Sequence, residues 1–296
     1  MPDLSSARVV VIGGGVVGCS VLYHLAKLGV ADAILLERQE LTAGSSWHAA
    51  GNLFSLTSPS NVQRLQKYTI ELYPKLEGES GQPVGYHPTG GLVLASTAEE
   101  VTTLKIARGQ ARRNGLEAEF ISMDEARRYA PILNTAGLQA VLFEPLKGHV
   151  DPASATQAFA AAARRLGARI LRHTPATAMR QAQSGEWEIQ TPAGTIRAEY
   201  VVNAAGLWAR EVAALAGIEL PLQPVEHQYM VTEAIPEIAE LDHELPTIGD
   251  SDAAYYSRQE GQGLLLGAYE STCHHWAVDG TPLDFGHELL ADDLSR

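Results

Sequence analysis

The chain has 296 residues, of which 35 are acidic and 22 basic, giving a formal net charge of −13 with histidine neutral. That balance argues against a nucleic-acid or anionic-membrane partner, since both recruit clustered Lys and Arg. With 45% hydrophobic and 19% charged residues the chain is globular rather than disordered. At about 100 to 200 residues per domain it has room for two domains, or for one large α/β unit with an insertion. No apolar run approaches the roughly 18 residues of a membrane helix. Met1 to Arg8 is too short and polar for a signal peptide. Cys19 and Cys273 stand far apart, without metal-ligand spacing. Two such thiols suit a reducing compartment and exclude a disulfide scaffold, so a cytoplasmic protein with no membrane partner is expected.

The elements follow in chain order. Arg8 to Ile12 is a β-branched run suited to a strand buried on both faces. A glycine cluster follows, and then Val17, Val21, Leu22, Leu25 and Leu28 recur at helical spacing up to Gly29, placed as a C-terminal glycine. Ala33 to Glu37 is a second strand. Leu41 to Leu56 is rich in Gly, Ser, Ala and Thr around Trp47 and His48 and reads as a functional loop. Helices are expected over Val62–Leu76, Ala98–Asn114, Asp124–Tyr129 and from Pro152 to about Leu166, the last with Asp151 as N-cap. Strands are expected over Gly90–Ala95, Ala168–Arg172, Ala176–Gln181, Glu186–Thr191, Thr195–Ala198 and Tyr200–Asn203. Three more follow at Gln228–Thr232, Ala254–Arg258 and Leu264–Gly267. The fold class is therefore α/β, a Rossmann-like nucleotide-binding domain interleaved with a β-rich (α+β) one.

Gly13, Gly15 and Gly18 form G-x-G-x-x-G between a predicted strand and a predicted helix. The first glycine makes the tight turn, the second admits a pyrophosphate to the backbone, and the third lets helix and strand approach. Val16 and Val17 open the helix, where unpaired N–H groups face the phosphates. Glu37 lies 19 residues after Gly18, near the spacing of a ribose-binding acid, and it favours FAD or NAD over NADP. Arg38 is either a solvated charge or a side chain against the adenine edge. Cys19 reads as a small buried hydrophobe.

Leu41-Thr-Ala-Gly-Ser-Ser-Trp-His-Ala-Ala-Gly51 resembles the loop of the dimethylglycine and sarcosine dehydrogenase family, flavoproteins of the D-amino acid oxidase superfamily. Similar segments are Tyr86-His-Pro-Thr-Gly-Gly91, Gly148-His-Val-Asp-Pro152, Val201-Val-Asn-Ala-Ala-Gly206, Glu226-His-Gln-Tyr229, Tyr255-Tyr-Ser-Arg258 and Asp284-Phe-Gly286, so the resemblance runs from about Val9 to Arg296. It implies FAD carried covalently by His48, with Ala49, Gly51 and Leu53 on the flavin side and Ala176 offering backbone beside the adenine. The chemistry is attack of a neutral imidazole on the activated 8α-methyl group of the flavin. Ser45 and Ser46 either donate to the pyrophosphate or cap a turn. Ala205 and Gly206 end a strand in small residues that let backbone approach the cofactor.

The resemblance also implies oxidation of an N-methylated glycine such as dimethylglycine, with hydride passing from an N-methyl carbon to flavin N5. The electron acceptor would be oxygen or an electron-transfer flavoprotein. A rival within enzymes is a flavoprotein acting on sarcosine, another secondary amine or an amino acid. A rival from another class is a non-catalytic FAD-binding fragment. His227 and Tyr256 match family positions lining the substrate site; Tyr255 is the alternative, because neighbouring strand residues face opposite ways. Arg258 is a candidate for the substrate carboxylate or a solvated strand-end charge. Cys273-His-His275 lacks further ligands at metal-site spacing, so no metal is expected. Residues 1–85 with 146–222 are expected to form the FAD-binding domain, and 86–145 with 223–296 the substrate-binding domain. Family members extend past Asp292-Asp-Leu-Ser-Arg296, so the resemblance implies the first part of a longer flavoprotein, with an incomplete substrate domain.

Overall fold

Alternation in the first strand organises the nucleotide-binding half. In Ser6–Ile12, Val9 and Val11 enter one core with Leu22, Tyr23 and Phe159, while Val10 and Ile12 enter a second with Ile34, Leu36, Ile189 and Ile196. A strand with both faces covered by core is the expected place for an unbroken β-branched run. The computed structural model describes residues 5–57 and 59–293. Met1–Leu4 of the N-terminal reading and Leu294–Arg296 of the family resemblance lie outside the described residues.

The six-stranded sheet runs, in spatial order, Ala178–Gln181, Trp187–Thr191, Gly194–Asn203, Ser6–Ile12, Ala33–Leu36 and Arg169–Leu171. The last four strands are parallel, and the first two add an antiparallel edge. The helices Val16–Lys27 and Pro152–Arg165 cover one face through Leu22, Tyr23, Ala158 and Phe159. Asp151 caps the second helix, its Oδ1 accepting from the Ser154 N–H at 2.6 Å, with Pro152 in the first turn.

A seven-stranded sheet forms the other half, in the order Tyr229–Val231, Gly263–Ala268, Tyr255–Glu260, Thr247–Asp250, Gly91–Ala95, Ala140–Glu144 and Glu119–Ile121. Only Thr247–Asp250 and Gly91–Ala95 pair in parallel. A small antiparallel sheet, Asn52–Leu53, Gly148–Val150 and Tyr86–His87, links the chain beyond the Trp-His loop to the start of the seven-stranded half. The α/β expectation is borne out.

Three local expectations change. The helix expected over Val62–Leu76 extends over Ser60–Ser80 with Pro74 inside it, held by Ile70, Tyr73 and Leu76 in the core. The two strands expected at Thr195–Ala198 and Tyr200–Asn203 are one, Gly194–Asn203, because pairing with Ser6–Ile12 carries it through Glu199. Several strands have no counterpart among the expected ones, among them Glu119–Ile121, Ala140–Glu144, Gly148–Val150 and Thr247–Asp250, each ordered by pairing with a strand elsewhere in the chain. Cys19 is fully buried, and burial pushes its thiol up to about 12, as suits a core hydrophobe. Among the described residues no helix is long and apolar enough to cross a membrane.

Candidate active site

The glycine turn is closed on every side. Gly13 has φ +117°, and a Cβ there would lie 2.3 Å from the Ala204 carbonyl oxygen; a Cβ on Gly18 would lie 1.9 Å from the Gly13 oxygen. The Val16 N–H, at the start of the helix, donates to Ser46 Oγ at 3.0 Å. A Cβ on Gly15 would reach the same oxygen at 3.0 Å. Val17 is 62% exposed at this mouth. Glu37 is buried and accepts from the Gly14 N–H at 2.6 Å and the Gln39 N–H at 2.7 Å. A carboxylate offers about four acceptor sites, so acceptor capacity remains for ribose hydroxyls.

The neighbouring segments converge on this turn. The Thr174 N–H donates to the Glu37 carbonyl at 2.8 Å, which brings Ala176 past the end of that strand. The Ala204 N–H donates to the Ile12 carbonyl at 2.8 Å, so Ala205 and the exposed Gly206 continue from the glycine turn. Arg38 is not a solvated charge. Its guanidinium lies 4.0 Å over the Trp208 ring and donates to the Phe285 carbonyl at 2.5 Å, so it ties the segment Asp284–Gly286 to the cradle.

The Trp-His loop is held at both ends. Thr42 is buried with φ +77°, an unusual conformation for a β-branched residue. Its N–H donates to the Gly14 carbonyl at 3.1 Å, and its own carbonyl accepts from the Trp47 N–H at 3.1 Å. Such strain persists where surrounding structure over-determines it. The Gly44 N–H at 2.9 Å and Trp47 Nε1 at 3.2 Å both donate to the Gly286 carbonyl. At the far end Gly51 has φ +74°, and a Cβ would lie 2.1 Å from the Val150 oxygen. Ser45 and Ala49 are exposed along the loop, whereas Leu53 is buried in the following strand.

His48 sits edge-on to Trp47 at 4.6 Å between ring centroids. Its Nδ1 is buried and makes no hydrogen bond. Burial, and then the charge of His287, holds the imidazole below its ordinary 6.5. The ring is therefore neutral near pH 7, the state in which a histidine is nucleophilic.

An aromatic cluster from the other sheet meets this loop. The Tyr229 hydroxyl donates to the His48 carbonyl oxygen at 3.0 Å. Tyr256 is buried over Gly267, where a Cβ would lie 2.1 Å from the Tyr256 Cζ. The His227 ring stacks on Tyr269 at 4.9 Å and lies 6.4 Å from Tyr256. Glu270 approaches His227 Nδ1 at 3.9 Å. Burial, with the Tyr269 and Tyr229 hydroxyls adding, pushes the Tyr256 phenol up to about 12. Tyr255 faces the opposite way and packs with the Ile248 and Leu245 core, so the geometry leaves it outside the cluster. Arg258 is not a solvated strand end: it is buried, with Nε donating to the Ala50 carbonyl at 2.7 Å and Nη1 to Glu260 at 2.6 Å.

Thus His48, Tyr256 and His227 share one region, bridged by Tyr229, a residue the sequence reading quoted but gave no role. Thr42, Gly14, Trp208 and Gly286 also hold the site. Gly14 lies inside the fingerprint, Thr42 inside the Trp-His loop and Gly286 inside Asp284-Phe-Gly286, whereas Trp208 had no sequence signal.

Comparison with known proteins places this geometry. Residues 8–294 match the family model described as DAO, FAD dependent oxidoreductase. The chain belongs to this FAD-dependent oxidoreductase family. It is 43% identical over 295 residues to the mitochondrial dimethylglycine dehydrogenase of Rattus norvegicus, covering 98% of this chain and 34% of the relative. It is 37% identical over 295 residues to the mitochondrial sarcosine dehydrogenase of Homo sapiens, covering 96% and 31%. The chain thus spans about a third of the length of these curated relatives. In structure it resembles the L-proline dehydrogenase of P. horikoshii, with a TM-score of 0.83 at 27% identity over 96% of this chain and 75% of that one. The residues present fit the cofactor of the family. A Cβ on Gly13 or Gly18 would strike a backbone oxygen and one on Gly15 would press on Ser46 Oγ, so bare backbone faces the turn, and the Nδ1 of His48 is a buried polar atom with no hydrogen bond.

Proposed function

We propose that this chain belongs to a flavoprotein that oxidises an N-methylated glycine such as dimethylglycine, with FAD attached covalently through His48. The observation that carries the reading is the junction at Tyr229, which ties the neutral His48 to the His227 and Tyr256 cluster. The greater identity to dimethylglycine dehydrogenase than to sarcosine dehydrogenase supports the choice of substrate. In this reading residues 1–85 with 146–222 bind the cofactor and 86–145 with 223–296 bind the substrate.

Gly13, Gly15, Val16, Val17, Gly18, Ser45 and Ser46 would hold the pyrophosphate, Glu37 and the backbone at Ala176 the adenosine, and His48, Ala49, Gly51, Leu53, Ala205 and Gly206 the flavin end. Bound FAD supplies a two-electron acceptor, reoxidised in turn by oxygen or an electron-transfer flavoprotein. The chain's own task is to manage the substrate proton. N-methyl amines are cations at neutral pH, and the C–H bond weakens toward hydride loss only once the nitrogen lone pair is free. His227 takes that proton, with Glu270 alongside to stabilise the resulting imidazolium. Tyr256, protonated throughout the neutral range, acts as a hydrogen-bond donor that orients the substrate rather than as a base. The two free thiols are compatible with a cytoplasmic setting.

Anaerobic addition of dimethylglycine to the flavin-loaded protein tests the reading. Loss of the oxidised-flavin absorption with dimethylglycine and not with sarcosine is expected. Bleaching only by sarcosine would transfer the assignment to that substrate, and a spectrum unmoved by either amine would overturn it.

A further inference from the structure

Away from this region, His87, His149 and Glu244 meet on the small sheet. His87 and His149 are directly paired across the strands Tyr86–His87 and Gly148–Val150, so their side chains leave the same face. The two rings stack at 4.5 Å with an 11° interplanar angle. Glu244 arrives from the seven-stranded half and gives one oxygen to each ring, Oε2 to His87 Nδ1 at 2.8 Å and Oε1 to His149 Nε2 at 2.7 Å. The three ligand atoms lie within 4.8 Å of one another, the one such convergence of three His, Cys, Asp or Glu donors among the described residues. His149 is buried beneath, while His87 and Glu244 open onto a pocket of about 750 Å³ lined also by Tyr86, Thr89, Tyr129 and His243.

We propose that His87, His149 and Glu244 bind a divalent cation of the zinc class, with its remaining coordination positions open to the pocket. Two imidazoles and a carboxylate are the donor set that borderline cations select, and three protein ligands leave a fourth position for water or a small anion. Bonds of about 2.0–2.1 Å place tetrahedral ligands roughly 3.3 Å apart, which side-chain rotation reaches from the present spacing. On binding, each ring would present to the metal, as a lone pair, the nitrogen that faces Glu244, and carry its N–H on the other nitrogen. The ion would clasp the loop carrying Glu244 to the strand Gly148–Val150, which pairs with Asn52–Leu53 just beyond the Trp-His loop. Sequence spacing gave no sign of it, because 62 residues or more separate successive donors.

The test is zinc titration of the full chain, with metal content measured after dialysis and with Cys273→Ser/His274→Ala/His275→Ala as the control for the exposed Cys-His-His run. One equivalent of zinc is expected, retained in the control. A loss of at least tenfold in affinity is expected in both His87→Ala and Glu244→Gln, two partly exposed positions whose variants should fold. Cobalt in place of zinc should give a four-coordinate spectrum without a thiolate charge-transfer band. Less than one equivalent bound, binding unaffected in both variants, or a thiolate band lost in the control would overturn the proposal.

Discussion

The Tyr229 hydroxyl lies 3.0 Å from the carbonyl oxygen of His48, joining residues 181 positions apart in the chain. This bond fixes the backbone of the candidate flavin ligand against the edge strand Tyr229–Val231 of the sheet that also holds Tyr256. Tyr229→Phe removes the donor and leaves the ring. The expected cost is about 0.5–1.5 kcal/mol of stability, measured by urea unfolding. It should be accompanied by a lower fraction of chains retaining flavin fluorescence after denaturing electrophoresis.

His48 also links stability to pH. Burial lowers its folded-state pKa beneath the ordinary 6.5, so the folded chain binds fewer protons than the unfolded chain between the two values. Its contribution is therefore present above pH 6.5 and is lost as pH falls through the lowered folded value. In flavin-free protein, His48→Asn should flatten the acid side of the stability profile. Urea midpoints taken above and below pH 6.5 check this; identical slopes in the two proteins would show that His48 is not desolvated.

His227→Ala should lower turnover of dimethylglycine by about 10²-fold or more, the usual range for loss of a general base, and should alter the pH profile of kcat. Tyr256→Phe, which deletes only a donor, should raise KM more than it lowers kcat. Unchanged turnover and pH profile in His227→Ala would remove that residue from the chemistry.

A buried pair supports the loop from below. Lys147 and Glu144 are both almost fully buried, with Nζ 3.8 Å from Oε1, and Glu144 accepts from Ser55 Oγ at 2.8 Å. Burial pulls the Lys147 ammonium below its usual range. Lys147→Met strands the Glu144 charge and should cost about 3–5 kcal/mol, whereas Lys147→Met/Glu144→Leu should recover most of it. Thermal unfolding of both variants decides: a double variant no more stable than the single would show that the pair is not the source of the cost.

The parts of the site legible in the sequence are those built from local contacts. Gly13, Gly15 and Gly18 stand together in one strand-turn-helix unit, Gly18 closed against the Gly13 oxygen within it, and Asp151 caps its own helix. The parts that escaped depend on long-range pairing. Ala140–Glu144 is a strand because it lies between Gly91–Ala95 and Glu119–Ile121. The contacts of Arg38 were not legible because Trp208 and Phe285, which hold it, lie 170 residues or more downstream. Tyr256 was the family match and Tyr255 the alternative, since strand alternation turns only one of the pair inward; the packing of each face sets Tyr256 in the aromatic cluster and Tyr255 in the other core.

In the proposed function His48 carries the flavin. The most direct measurement is the intact mass of the full chain after denaturation, followed by mass mapping of the peptide containing His48. A chain heavier by one FAD is expected, with the added mass on His48 and absent from His48→Asn. An unmodified chain whose yellow colour passes entirely into the acid supernatant would contradict it.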